Sequence, residues 1–309
     1  MLFILIFFHI YPSHSANQKV SYSSDDIYNY FSGIISFNHN NASQAYKYFS
    51  KIKHIKNKHN DFNVKFVRTL VELEKFNKVF AYLKKLNNDQ LNFPEAYLLL
   101  GTEAFAKKDF LLAEKFFEQL NNFSLDEPIS NDIMKNVLIS WAQLAQQKKE
   151  KAFDTMNNIS DRFHNFKLIQ KTFINCYLDS PNAKDLFYKL IKENESNFSR
   201  YNFFLANYLL NQDEVLASEK IIDESLKIHD SNLLLKQSKI LFDNKDYKKI
   251  QNFFDCKNSN NILAEFFYVI SNLYSNEQNF SASNFYLKIA LYLNPNFYTN
   301  KILLGDNLF

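Results

Sequence analysis

The sequence predicts an all-α protein made of tandem antiparallel helix pairs, and three observations carry that prediction. The 309 residues include only three glycines and five prolines, well below average usage, which leaves little of the turn chemistry that sheets and phosphate-cradling loops need. Amphipathic stretches such as FNVKFVRTLVEL (62–73) recur at a period near 34 residues, the signature of a stacked helical array. Within each period a small anchor and a large apolar residue return at fixed offsets. With 46% hydrophobic and 17% aromatic residues the chain can bury a large core.

Gly101 sets the phase. It lies inside AYLLLGTEAFAKKDFLLAEKFFEQL (96–120), otherwise strong helix, where a glycine costs about 0.5–1 kcal/mol relative to alanine. Its missing side chain must therefore serve a close approach. Gly33, Gly101 and Gly305 differ by 68 and 204 residues, two and six periods of 34. Val67 stands halfway between the first two, and the phase drifts on through Ser140, Thr172, Leu205, Ser238 and Ser271. Twelve and sixteen residues beyond it come Ala45 with Phe49, Val79 with Leu83, Ala113 with Phe117, Ala152 with Met156, and Ala217 with Ile221; Ser271 is followed by Ser283 and Leu287. Eight residues beyond the phase position lie Asn41, Asp109, Asp213, Asp246 and Asn279, suited to N-cap the second helix of each pair. The turns KKDF, NKDY and EQNF each put an aromatic directly behind that cap.

These positions resemble the tetratricopeptide repeat, whose pattern has an aromatic at the fourth place, Leu and Gly at the seventh and eighth, a small residue at the twentieth and an aromatic at the twenty-fourth. The unit from Pro94 carries Tyr97, Leu100, Gly101, Ala113 and Phe117; the unit from Ala264 carries Phe267, Ile270, Ser271, Ser283, Ala290 and Pro295. The resemblance covers about 25–309, eight units and part of a ninth that reaches its phase position at Gly305, with a distorted unit over 161–196. It implies a right-handed superhelical solenoid in which the eighth place faces the small residue of the second helix: Gly33 with Ala45, Gly101 with Ala113, Ser271 with Ser283. It also implies a concave groove that takes a protein or peptide segment, lined by Tyr30, Phe37, Arg68, Phe105, Trp141, Tyr268 and Asn272, with Lys239 also among the groove places. Trp141, the only tryptophan, is the foremost of these.

Residues 1–15 read as a signal peptide and 16–24 as a short linker. The apolar run Leu2 to Ile10 is about half of the roughly 20 residues that a membrane span needs, and Ser13 and Ser15 suit cleavage after Ser15, although the n-region is uncharged. The expectation is a periplasmic or exported protein with no membrane span after cleavage, similar to exported bacterial tetratricopeptide proteins.

No serine elbow, HExxH or glycine-rich phosphate loop occurs, so a non-catalytic scaffold without metal or cofactor is expected. The alternative is the helical part of a longer enzyme, a cell-wall lytic enzyme or a transferase, with its catalytic part beyond residue 309. A net charge of +3 gives no argument for nucleic acid. Lysine is abundant and arginine scarce, a bias of the kind an AT-rich genome imposes, so the cluster Lys47, Lys51, Lys53, Lys56 and Lys58 with His54 and His59 reads as a solvated helix end, with an anionic partner as the sharper reading. His54 and His59 are five apart, off a shared helical face, which argues against a metal site. Cys176 and Cys256, the only cysteines, read as two unpaired structural thiols. The C-terminal helix, with Ile302, Leu303, Leu304, Leu308 and Phe309, presents an apolar end that implies either further chain or self-association.

Overall fold

A computed structural model describes residues 22–57, 59–120, 131–192, 199–297 and 300–307. The expected signal peptide, most of the linker, Lys58, Leu308 and Phe309 lie outside the described residues. Within them the chain is all helical, without a strand. Eight hairpins follow one another: α1 Ser24–Asn38 with α2 Ala42–Phe49, α3 Asn60–Glu72 with α4 Phe76–Leu83, α5 Pro94–Ala106 with α6 Phe110–Glu118, and α7 Asn131–Ala145 with α8 Lys149–Asn157. Then come α9 His164–Tyr177 with α10 Ala183–Lys192, α11 Ser199–Asn211 with α12 Val215–Ile228, α13 Leu233–Asp243 with α14 Tyr247–Phe253, and α15 Ser259–Asn276 with α16 Phe280–Leu293, followed by α17 Asn300–Asp306. A 3-10 segment, Ser50–Asn57, separates α2 from α3. No helix among the described residues is long and apolar enough to cross a membrane.

The hairpin turns share one device. Asn40, Glu74, Lys108, Gln147, Asp179, Asp213, Lys245 and Gln278 all take the left-handed conformation, with φ between 54° and 65°. The next residue donates its amide to the carbonyl five residues back, from Asn41 to Ser36 through Asn279 to Tyr274, at 2.8–3.0 Å. This is the Schellman closure of a helix C-terminus, built here without glycine. Successive left-handed residues are 34, 34, 39, 32, 34, 32 and 33 apart, so the repeat is carried by the turns as well as by the helices. Asn41, Asp109 and Asn279 do cap the second helix, accepting from Gln44, Leu112 and Ala282 amides at 3.1–3.2 Å. Asp213 does not: it is itself the left-handed residue, and Glu214 takes the N-cap.

The phase position lies seven residues before each left-handed residue, which puts it at Ala206 instead of Leu205. Its partners are accordingly Ser218 and Ile222, both fully buried, in place of the expected Ala217 and Ile221. The twelve-residue pairing is direct: Ser140 Oγ donates to Ala152 O at 2.7 Å, Ser218 Oγ to Ala206 O at 2.5 Å, and Ser271 Oγ to Ser283 O at 2.8 Å. In the fifth hairpin Thr172 holds the phase and Ala183 and Phe187 are the buried partners, one residue early, and five residues instead of three separate the two helices. That is the distortion expected over 161–196.

Gly101 needs its missing side chain for a different neighbour from the one expected. Ala113 is buried, but a Cβ at Gly101 would sit 2.6 Å from Cδ1 of the Phe117 ring, and one at Gly33 would sit 2.6 Å from Cδ1 of Phe49. The aromatic ring sixteen residues on fills the space beside the glycine. Where that place holds Leu83, Met156, Ile222 or Leu287, the phase residue keeps a side chain (Val67, Ser140, Ala206, Ser271). Gly305 has no atom within 4 Å of its Cβ position, so the expectation of close packing fails there: among the described residues no second helix covers α17. Its end is instead tied back by Asn307, whose Nδ2 donates to Ser283 Oγ and Asn284 Oδ1 at 2.8 and 2.7 Å.

Most contacts join consecutive helices, but α16 also returns to α3, and α15 meets α7. Lys288 reaches Glu74 at 3.3 Å and Glu72 at 3.8 Å, while the Tyr292 ring stacks on Phe76 at 4.5 Å and meets Phe80 at 5.5 Å. The second and eighth hairpins therefore touch. The two cysteines are not free thiols. Cys176, at the end of α9, is bridged to Cys256, just before α15, because the fold brings together residues that are 80 apart in sequence.

Candidate functional site

On the inner side, the expected open groove is largely filled. Helices α7 and α15 are in contact, and Phe166 of α9 packs edge-on against Phe266 of α15 at 5.7 Å. Among the described residues a cavity of about 400 Å³ lies where α7, α9, α11 and α15 converge. These are the first helices of their hairpins, whose apolar faces turn inward.

The floor of the cavity is an ion pair. Arg200, one of three arginines in the chain, sits in the first turn of α11 and grips Glu265 of α15, with Nε 2.8 Å from Oε1 and Nη2 2.7 Å from Oε2. Nη2 also donates to Asn300 Oδ1 at 2.8 Å, which brings α17 into the same network. The guanidinium lies 3.8 Å from the ring centroid of Tyr268 and 4.6 Å from that of Phe297, a stacked arrangement that suits its planar, weakly hydrated charge. Glu265 is buried; burial pushes its carboxyl up, and the neighbouring guanidinium pulls it back. Because each charge is met inside the pair, the floor offers a visitor little net charge. The walls are apolar, from Phe163, Phe166, Ile169, Val269 and Leu273, and the polar groups Arg162, His164, Asn165 and Asn272 also line the cavity. Such a space favours an apolar or aromatic group flanked by amides.

Of the residues expected in the groove, Tyr268 and Asn272 line this cavity. Trp141 and Phe105 are fully buried and present no surface to a partner: Trp141 donates Nε1–H to Gln170 Oε1 at 2.8 Å and packs edge-on against Tyr177, and Phe105 packs against Phe110 at 5.1 Å. Both belong to the core because the inward helix faces meet each other. Phe37 and Arg68 lie together in a smaller cleft of about 120 Å³ where α1 and α3 meet α16; Arg68 is held there by Glu95 at 2.7 Å. Tyr30 leans on His59 at 4.7 Å. Lys239 is held by Glu219, Asp223 and Asp243 at 2.9–3.1 Å and so faces α12 and its own helix. Among the described residues no three His, Cys, Asp or Glu side chains gather as a metal-ligand set. Sequence reasoning missed Arg200 and Glu265, although a carboxylate inside the apolar helical run ILAEFFYVI is a signal, since an ion is tolerated there only when a partner meets it.

No protein-family model matches this chain, and no curated protein matches it.

Proposed function

We propose that the protein is a non-catalytic binding scaffold of the tetratricopeptide kind, working outside the cytoplasm and taking a segment of a partner protein at the α7/α9/α11/α15 cavity. The observation that carries this reading is the convergence of four first helices on one apolar-walled space with polar groups at its lining. About 400 Å³ accommodates one or two side chains of a docked segment, and Tyr268, stacked on Arg200, is the aromatic anchor type that dominates such contacts. The eight glycine-free hairpin turns at near-34 spacing support the repeat reading. The Cys176–Cys256 disulfide fits an oxidising compartment, as does the apolar run 2–10.

A photo-crosslinking amino acid at Asn272, with Lys236 as a control position, tests this in the native cell. One dominant protein adduct, mapping to a single segment with an apolar anchor and lost on Tyr268→Ala, is the expected result. Adducts no different from those at Lys236 would overturn it.

A further inference from the structure

A second cavity, of about 410 Å³, lies on the other side of the N-terminal hairpins, and its chemistry is unlike that of the first. Its floor is apolar: Phe66 and Leu70 of α3 and Ala81 and Tyr82 of α4. Tyr46 forms one wall, its ring nearly parallel to Phe66 at 6.2 Å between centroids. Around these stand Lys53 and Lys56 from the 3-10 segment and Lys78 and Lys85 from α4 and its end, with His54 beside them. Folding thus joins two of the five lysines of the cluster read from the sequence to two lysines some thirty residues away, which no local pattern could show.

Three of the four ammonium groups are turned on neutral partners. Lys56 Nζ donates to Lys85 O at 3.2 Å and Lys78 Nζ to the Tyr46 hydroxyl at 3.0 Å; Lys53 Nζ lies over the Phe66 ring, 5.9 Å from its centroid. Among the described residues none of the four is paired with a carboxylate, and no Asp or Glu lines the cavity. The one acid at its edge, Asp26, is held by His54 at 2.9 Å. The Lys78 ammonium, first among its surroundings, also holds the Tyr46 hydroxyl below its ordinary range. Four like charges around one cavity repel one another and destabilise the fold. Elsewhere in this protein buried or crowded charges are met: Lys288 has Glu72 and Glu74, Arg200 has Glu265, and Lys239 has three carboxylates. Here no described residue that lines the cavity supplies the counter-charge.

We propose that this cavity binds a phosphate ester: a phosphoryl group, with two negative charges and several acceptor oxygens, meets the lysine ammonium groups, and a flat apolar body lies over Phe66, Leu70 and Tyr82. Ammonium groups bind phosphate as point charges through short charge-assisted hydrogen bonds, and a floor of rings and methyl groups discriminates an organic phosphate from the bare anion. The ester is a soluble molecule, since the cavity has the volume to receive the whole of a small one.

Isothermal titration calorimetry on the full chain at low ionic strength tests this with phenyl phosphate and inorganic phosphate, alongside sedimentation with phosphatidylcholine vesicles carrying phosphatidic acid. Phenyl phosphate is expected to bind about tenfold more tightly than inorganic phosphate and to weaken steeply as salt is added. Lys78→Gln with Lys85→Gln should lower its affinity at least about tenfold. Ala81→Trp should abolish binding by filling the cavity while leaving every charge in place. Circular dichroism unchanged in both variants separates these effects from misfolding. No binding of phenyl phosphate, binding indifferent to the paired lysine substitutions, or binding only to vesicles would each overturn the assignment.

Discussion

The two cavities use the same materials, cations beside aromatic rings, to opposite ends. At the α7/α9/α11/α15 cavity Arg200 is stacked on Tyr268 and Phe297 and fully engaged by Glu265 and Asn300, so its charge is spent on joining α11, α15 and α17. At the N-terminal cavity the lysines rest on Tyr46, Phe66 and a backbone carbonyl, and their charge stays available. What separates a structural cation from a binding one here is whether the chain supplies the counter-charge, a property that neither residue type nor exposure reveals.

The sharpest way to break this contrast is to remove one member at each place. Arg200→Ala or Glu265→Ala strands a buried partner and should cost about 3–5 kcal/mol, whereas Lys78→Gln should leave urea stability within about 0.5 kcal/mol or raise it at low salt. Equal losses at the two sites, measured by urea unfolding, would end the distinction. The next largest effect concerns the covalent tie beneath the first cavity. Reducing Cys176–Cys256, which closes a loop of 80 residues, should cost about 2–4 kcal/mol. It should shift Trp141 emission, because Trp141 packs on Tyr177, the neighbour of Cys176. Hydrogen exchange in α3 and α16 should quicken as well; exchange unchanged there would mean that the two regions open as separate units.

Gly101→Ala should cost about 1–3 kcal/mol by overpacking against Phe117, and Phe117→Leu should recover part of it in the double variant. Gly33→Ala should behave like Gly101→Ala, since both glycines lie under a phenylalanine, while Gly305→Ala, in open helix, should raise stability by up to about 1 kcal/mol. Thermal unfolding of the three variants checks the order. The smallest effect is acid sensitivity. Glu114, like Glu265 a buried carboxylate, is desolvated, yet donors from Lys151, Gln143 and Gln146 outweigh that and hold its carboxyl down at about 2. A depressed folded-state value stabilises the protein above the ordinary carboxyl range and is lost as protons are taken up. Stability should therefore decline as pH falls from 4.5 toward about 2, and Lys151→Ala should flatten that decline in pH-dependent urea titrations.

Much of the architecture was legible in the sequence because close packing between paired helices restricts residue size at one place in every period. Ser140, Ser271 and Ala113 follow from that restriction, and so do the caps at Asn41, Asp109 and Asn279. The slip at Leu205 came from counting across a turn that carries no glycine to mark it. The burial of Trp141 and Phe105 was not legible, since an apolar helix face looks the same whether it lines a groove or meets another helix. The α16 return to α3, the disulfide and the lysine cavity all join residues far apart in sequence, and periodicity holds no information about such meetings. Arg200 and Glu265 also went unread, although one was conspicuous by its rarity and the other by its apolar setting.

The left-handed turn residues have a consequence for how the protein comes apart. Each holds an ordinary side chain in a conformation that costs about 1–2 kcal/mol outside glycine, so no hairpin is favoured by its own joint; each is held in place by the hairpins on either side. In an open array the outermost hairpins, with a neighbour on one side only, would fray first and melting would spread inward. Here Lys288 and Tyr292 lay α16 against α3 and α4, giving the early hairpins a neighbour on their outer flank. The protein should accordingly lack the soft ends of a linear stack and lose its structure as a single cooperative body, with amides in α3 and α16 exchanging at rates close to those in α11.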